Sequence, residues 1–235
     1  LGNGQQAIVD KIIAKTANIM NDFTLVLGNK NYSSWSLRPW LAMRQFEIEF
    51  KEIVVPLYRP ESSRELAVYS PAVKVPVLIH DSLKIWDSLA ICEYLAELYP
   101  DRLWWGKTRE IRANSRSIAA EMHSSFLALR QNLPMNCGLR RKKEISEDVA
   151  KDFRRITDIW REYRQKYAQN GSFLFGDFTI ADAFYAPVVL RFRTYKVELD
   201  EICQTYSNAI LNLPAMQQWL NEASQETFKI AEYEN

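Results

Sequence analysis

Lys74-Val75-Pro76-Val77-Leu78-Ile79-His80-Asp81-Ser82-Leu83-Lys84-Ile85-Trp86-Asp87-Ser88-Leu89-Ala90-Ile91 reads as strand, turn, strand and helix start, with a proline where a strand should hold none. Val77–Ile79 and Leu83–Trp86 are short β-rich runs, and the intervening His80-Asp81-Ser82 has the length and polarity of a hairpin turn. Pro76 has no N–H to give a ladder, so it belongs at a strand's first residue, at an edge or at a bulge. A cis Val75–Pro76 bond, which costs only about 0.5–1 kcal/mol at an X–Pro step, would turn the chain sharply and present the Val75 backbone to an adjacent cleft. Asp87-Ser88 then opens a helix. The free N–H groups and positive dipole end there are receptive to a carboxylate, and the Ser88 hydroxyl adds a donor.

Upstream, Phe23–Leu27 reads as a strand ended by the turn residues Gly28-Asn29-Lys30-Asn31. A helix is expected from about Trp35, with Leu37, Trp40, Leu41 and Arg44 at spacings of three and four. Pro39 is tolerated in its first turn, where its missing N–H would have no partner. Ile53–Val55 is the next strand and Pro60–Leu66 a short helix, so the order runs β-α-β-α-β-β-α and closes with a helix from Asp87 to Leu98. Parallel strands joined by a helical crossover, plus a terminal hairpin, make a thioredoxin-like α/β layer.

Tyr99-Pro100-Asp101 ends that layer, and everything beyond reads as helical. Ile118, Met122, Phe126, Leu129 and Leu133 form one apolar stripe; Val149, Phe153, Ile156, Trp160, Tyr163 and Tyr167 form another. Thr179 with Asp182 three residues on has the pattern of a capping box, which predicts a well-defined helix from Ile180 to about Thr194 and assigns Asp182 a folding role. Leu213–Leu220 supplies a last helix. The expected organisation is an extension over 1–22, a thioredoxin-like domain over 23–99 and an all-α domain over 107–235. Within the extension, Ile8, Val9, Ile12, Ile13 and Ala17 fit an amphipathic stripe, without the apolar core of a signal peptide.

The 235 residues carry a net charge of +1 with acids and bases interleaved, which argues against a nucleic-acid face. The one basic run, Arg140–Lys143, is followed by Glu144, Glu147 and Asp148 and reads as a solvated connection. Cys92, Cys137 and Cys203 are far apart and form no metal-ligand pattern, so no metal is expected; their odd count suits a reducing cytosol. No apolar stretch approaches the length of a membrane span.

The run Val75-Pro76-Val77-Leu78, followed by Ile85-Trp86-Asp87-Ser88 and Ala90-Ile91, resembles the glutathione-binding half of the cytosolic glutathione S-transferases. The resemblance extends to Ser33-Ser34-Trp35-Ser36 upstream and to Gly176–Asp182 downstream, and so covers roughly residues 23 to 223. Ser33–Arg38 is similar to the Ser-Ser-Cys-Ser-Trp-Arg segment of the serine-type, zeta-like members of bacterial type, with Trp35 where that pattern has Cys. The resemblance implies a thioredoxin-like domain plus an all-helical domain, a cytosolic homodimer, and glutathione as co-substrate. It assigns Ser33 to the catalytic position, with Ser34 as the alternative. It gives the Val75 backbone beside Pro76 to the cysteinyl amide, Ser88 with Asp87 to the γ-glutamyl end, and Lys74 to the glycyl carboxylate. A second-substrate pocket is expected around Trp35, Met122, His123, Phe126 and Arg130. The same residues have plainer readings as well: helix caps for the serines, core for Met122 and Phe126, and a satisfied polar contact for His123.

A hydroxyl at a helix N-terminus donates to sulfur, while the adjacent N–H groups favour negative charge. A thiol with a pKa of about 8.5 is only about 3% ionised at pH 7, and lowering that pKa by about two units raises the thiolate fraction roughly 25-fold. Intrinsic nucleophilicity falls by about tenfold over the same range, so orientation of the electrophile supplies most of the rate. The expected activity is attack of the glutathione thiolate on a hydrophobic electrophile or peroxide. A non-catalytic binding module and a glutathione-dependent isomerase are the alternatives.

Overall fold

The computed structural model describes residues 22–234. The extension over 1–21 and its apolar stripe lie outside the described residues.

Alternation along Phe23–Leu27 (β1) fixes the centre of the sheet. Phe23, Leu25 and Leu27 face the main core, while Val26 faces a smaller cluster with Val55, Leu66 and Val77. β1 pairs in parallel with Lys51–Val54 (β2) and antiparallel with Val77–His80 (β3), which forms a hairpin with Leu83–Ile85 (β4). The sheet order is β2-β1-β3-β4. Asp81 takes a left-handed φ of 53° in the hairpin turn, a conformation that Asp tolerates better than most side chains. Pro76 precedes the first strand residue of β3, as its missing donor requires, and the Val75–Pro76 bond is cis.

Three helices complete the layer: Ser34–Gln45 (α1), Ser62–Ala67 (α2) and Ser88–Leu98 (α3). β2 begins two residues before the expected Ile53 because Lys51 and Glu52 continue the ladder with Thr24 and Leu25 despite their polarity. Asp87 lies just outside α3 as its N-cap, its carboxylate accepting from the N–H groups of Leu89 at 3.0 Å and Ala90 at 3.4 Å.

The remainder is helical: Arg109–Ser124 (α4), Leu127–Asn132 (α5), Glu147–Tyr167 (α6), Ile180–Tyr195 (α7), Glu201–Leu211 (α8), Pro214–Gln225 (α9) and Ala231–Glu234 (α10). The stripe from Ile118 to Leu133 belongs to two helices rather than one. Phe126 takes a φ of 62° and turns the chain between α4 and α5. The capping box forms: the Asp182 carboxylate accepts from Thr179 N–H at 2.8 Å, from the Thr179 hydroxyl at 2.9 Å and from Leu174 N–H at 3.0 Å. α7 is buried almost throughout and packs between α1 and α4, forming the spine on which the helical side meets the sheet.

Lys30 ties the two sides together. Its ammonium is paired with Glu52 at 2.5 Å and with Glu222 of α9, near the rings of Trp40 and Trp219. All three cysteines are free and buried. No helix among the described residues is long and apolar enough to cross a membrane.

Candidate functional site

A cleft of about 670 Å³ runs between the C-terminal edge of the sheet and the helical side. The loop from Gly28 to Ser33 reaches the cleft through Tyr32 and Ser33 and is held from several directions. Asn29 Oδ1 accepts from Leu57 N–H at 2.8 Å, and the Lys30 and Asn31 N–H groups donate to Glu226 at 2.6 and 3.0 Å. Cys137 N–H donates to the Asn31 carbonyl at 3.1 Å. Gly28 leaves room for the Leu57 side chain, since a Cβ there would lie 2.6 Å from Leu57 Cδ1 and push that side chain aside. This bracing fixes where α1 begins, and with it both serines.

The two hydroxyls have different surroundings. Ser33 is the N-cap of α1: its Oγ accepts from Ser36 N–H at 3.3 Å and donates to Ser36 Oγ at 2.8 Å. Ser36 Oγ in turn accepts from Gly28 N–H at 3.0 Å. Ser34 Oγ accepts from Arg191 Nη2 at 3.1 Å, an acceptor role that leaves the hydroxyl proton uncommitted. Both side chains line the cleft.

Lys74, Val75, Pro76, Asp87 and Ser88 form the opposite stretch of the wall. Ser88 is fully buried and its Oγ has no hydrogen-bond partner, an orphan polar atom at the N-terminus of α3. An acceptor placed there would satisfy it at the positive end of the α3 dipole, whose Leu89 and Ala90 N–H groups are already taken by Asp87. Asp87 is already engaged, capping α3 and pairing with His123 Nε2 at 2.9 Å.

Of the residues expected in a second-substrate pocket, Trp35 and Arg130 line the cleft, and Met122, His123 and Phe126 do not. Met122 and Phe126 are buried in the core, at 1% and 5% exposure. The face of α4 that carries Met122 packs on α7, and the left-handed turn at Phe126 carries that ring inward. His123 lies behind Trp35, with ring centroids 5.3 Å apart, and couples Asp87 to Arg38, whose Nη1 is 3.5 Å from His123 Nδ1. Burial pushes the His123 imidazole below its ordinary value of 6.5; the Asp87 carboxylate opposes this and the charges of Arg38 and Arg130 add to it.

Arg191 of α7 escaped sequence reasoning. Its signal is a lone charge in the otherwise apolar run Ala186-Pro-Val-Val-Leu190-Arg191-Phe192, since a buried guanidinium is rarely there without a task. Tyr58 and Tyr233 also border the cleft, their hydroxyls 2.6 Å apart, and no sequence pattern marked them.

Comparison with known proteins agrees with this fold. The family model of the glutathione S-transferase N-terminal domain matches residues 32–98, and that of the C-terminal domain matches residues 142–222. The chain belongs to the cytosolic glutathione S-transferase family of enzymes. It is 28% identical over 171 residues to a probable maleylacetoacetate isomerase of Caenorhabditis elegans, covering 71% of this chain and 77% of that one. It is 27% identical over 165 residues to glutathione S-transferase 1 of Dianthus caryophyllus, covering 67% and 71% respectively. Among solved structures, a glutathione transferase homolog from Burkholderia with bound glutathione superposes with a TM-score of 0.65 at 22% identity, covering 88% of this chain and 99% of that one.

Proposed function

We propose that the cleft binds glutathione and lowers the pKa of its thiol through the hydroxyls at the start of α1, so that the thiolate attacks an electrophilic acceptor. The observation that carries the reading is the convergence, in one cleft, of those hydroxyls, the backbone at Val75–Pro76 and the orphaned Ser88 hydroxyl. Ser88 takes the γ-glutamyl carboxylate, the Val75 backbone takes the cysteinyl amide, and Lys74 takes the glycyl carboxylate. Asp87 holds the N-terminus of α3 in place and offers its remaining lone pairs to the glutathione ammonium group.

The hydrogen bonds favour Ser34 over Ser33 as the thiolate donor. Turning the Ser33 proton toward sulfur requires its bond with Ser36 to reverse, the Ser36 hydroxyl donating back to Ser33 Oγ. Ser34 needs no such exchange, and the Arg191 cation on its oxygen makes its proton a stronger donor. In the reaction the thiol proton goes to water, the sulfur forms a bond to the electrophilic carbon, and the leaving group departs with the bonding pair. No general base is required, since the thiol is ionised before attack.

A second copy of the chain is the expected partner. Val68, Leu83 and Trp86 are exposed at 64%, 53% and 45% near the free β4 edge, a surface suited to association. Sedimentation of the purified chain tests this, a monomer at micromolar concentration counting against it.

The catalytic reading is tested by glutathione conjugation to 1-chloro-2,4-dinitrobenzene with wild type, Ser33→Ala and Ser34→Ala, glutathione affinity being measured separately. Loss of about 10- to 100-fold in kcat/KM for Ser34→Ala, with binding retained, is expected for removal of a charge-assisted donor. Unchanged kcat/KM in both variants contradicts thiolate activation at this helix. Tight glutathione binding without conjugation of any acceptor favours a binding module, and turnover that leaves glutathione unconsumed favours an isomerase.

A further inference from the structure

We infer that His123 is a positioning residue for glutathione: its Nε2–H fixes the Asp87 carboxylate in the orientation that receives the ammonium group of the γ-glutamyl end. The inference rests on the glutathione-binding reading and adds to it a residue of the helical side that does not itself line the cleft.

The cleft is lopsided in charge. Arg59, Lys74, Arg130 and Arg191 line it, and among its described lining residues Asp87 is the one carboxylate. Glutathione brings two carboxylates and one ammonium group, so its anions meet several cations and its ammonium meets a single acid. The direction in which Asp87 points therefore decides which way round the tripeptide lies.

Capping α3 does not settle that direction. Both cap bonds, from the Leu89 and Ala90 N–H groups, end on Oδ1, and the side chain is 50% exposed. Two bonds to one oxygen leave the carboxylate plane free to turn; a third, to the other oxygen, stops it. His123 Nε2 supplies that third bond, 2.9 Å from Oδ2. With Oδ1 taken twice and Oδ2 once, the acceptor capacity left to the carboxylate is on Oδ2, at the cleft wall.

The histidine is itself fixed. It stands in the last turn of α4, its ring edge-on to Trp35 of α1 at 5.3 Å between centroids and 6.2 Å from the Phe184 ring of α7. On its far side Nδ1 faces Arg38 Nη1 at 3.5 Å. Arg38 is fully buried, and this is the one hydrogen-bond contact found for its guanidinium among the described residues. A guanidinium has only donors, so Nδ1 accepts and the ring proton sits on Nε2, toward Asp87. Burial lowers the imidazole pKa, with Asp87 opposing and the Arg38 and Arg130 charges adding, so at neutral pH the ring is uncharged and carries that proton alone. What His123 gives Asp87 is therefore a directional hydrogen bond and no second charge.

Glutathione and glutaryl-cysteinylglycine, which differ only in the ammonium group, read out this arrangement by calorimetry at neutral pH. Wild type is expected to bind glutathione about tenfold more tightly, with the preference shrinking as salt rises. His123→Gln and His123→Asn separate positioning from packing, because the Gln amide nitrogen reaches as far as Nε2 and the Asn one only as far as Nδ1. At 23% side-chain exposure the position accepts either amide. His123→Gln should keep the preference to within about twofold of wild type, and His123→Asn should reduce it to about twofold or less, both retaining the affinity for glutaryl-cysteinylglycine. Asp87→Asn, which still caps α3, should abolish the preference, and His123→Asn added to it should change nothing further. Equal preferences in His123→Gln and His123→Asn overturn the inference. Equal weakening of both ligands in His123→Asn also overturns it, by making the histidine a packing residue. A wild type that binds the two ligands alike overturns it too, and leaves the rest of the glutathione site standing. Failure of both ligands to bind contradicts the glutathione reading itself, and the inference falls with it.

Discussion

The two walls of the cleft are built by different means. On the sheet side, each element of the wall is a few consecutive residues whose chemistry fixes their own backbone: Ser33 caps α1, Asp87 caps α3, and Pro76 stands before β3. On the helical side, Arg130 and Arg191 reach the cleft from separate helices and are steadied by carbonyls that belong to neither. The first wall is a set of local motifs, and the second exists only once α4, α5 and α7 have packed. A binding site that meets a constant ligand on one side and a variable one on the other gains from this division, since the helical wall can change without disturbing the local motifs.

The largest effect is expected where the helical wall depends on one buried carboxylate. Asp182→Ala leaves the N–H groups of Leu174 and Thr179 unpaired in the core and should cost about 4 kcal/mol, read as a fall in urea midpoint. Because α7 carries Arg191, activity should fall with it. Loss confined to the helical signals in hydrogen exchange would sharpen the distinction between the walls, and uniform loss would erase it.

On the sheet side, Ser88→Ala should weaken glutathione binding by about tenfold, the loss expected for one hydrogen bond to a charged group, with stability hardly changed. A drop in stability with unchanged affinity would make the orphaned hydroxyl a packing feature. Smaller again, Ser33→Ala should lower stability by about 1 kcal/mol as an ordinary N-cap does. An unchanged unfolding midpoint would remove its capping role.

The smallest effect lies at the joint. Burial depresses the His123 imidazole, so the unfolded chain takes up its proton at a higher pH than the folded one, and stability is lost as pH falls below about 6.5. His123→Gln, which keeps a donor toward Asp87, should flatten that part of the stability profile. An unchanged profile would place the titration elsewhere.

The same division explains what was legible in the sequence. Val75–Pro76, Asp87-Ser88 and the Thr179–Asp182 box could be read directly because each is a local pattern with a local physical consequence. The stripe from Ile118 to Leu133 misled in one respect: its spacing of three and four persists across the turn at Phe126, so periodicity could not reveal two helices, although it did give Met122 and Phe126 their plainer reading as core. The partnership of Ser34 with Arg191 spans 157 positions and no motif records it. Only a charge inside the apolar run Ala186–Phe192 hinted at it.

Stabilisation of the bound glutathione thiolate by the Ser34 hydroxyl is the step on which the proposed activity turns. The most direct test is the pH titration of thiolate ultraviolet absorbance for glutathione bound to wild type and to Ser34→Ala. The bound thiol is expected to titrate about two pH units below its free value in wild type and at least about one pH unit higher in the variant, with affinity little changed. Coincident titrations of wild type and Ser34→Ala would contradict it, as would a shift that appears only in Ser33→Ala.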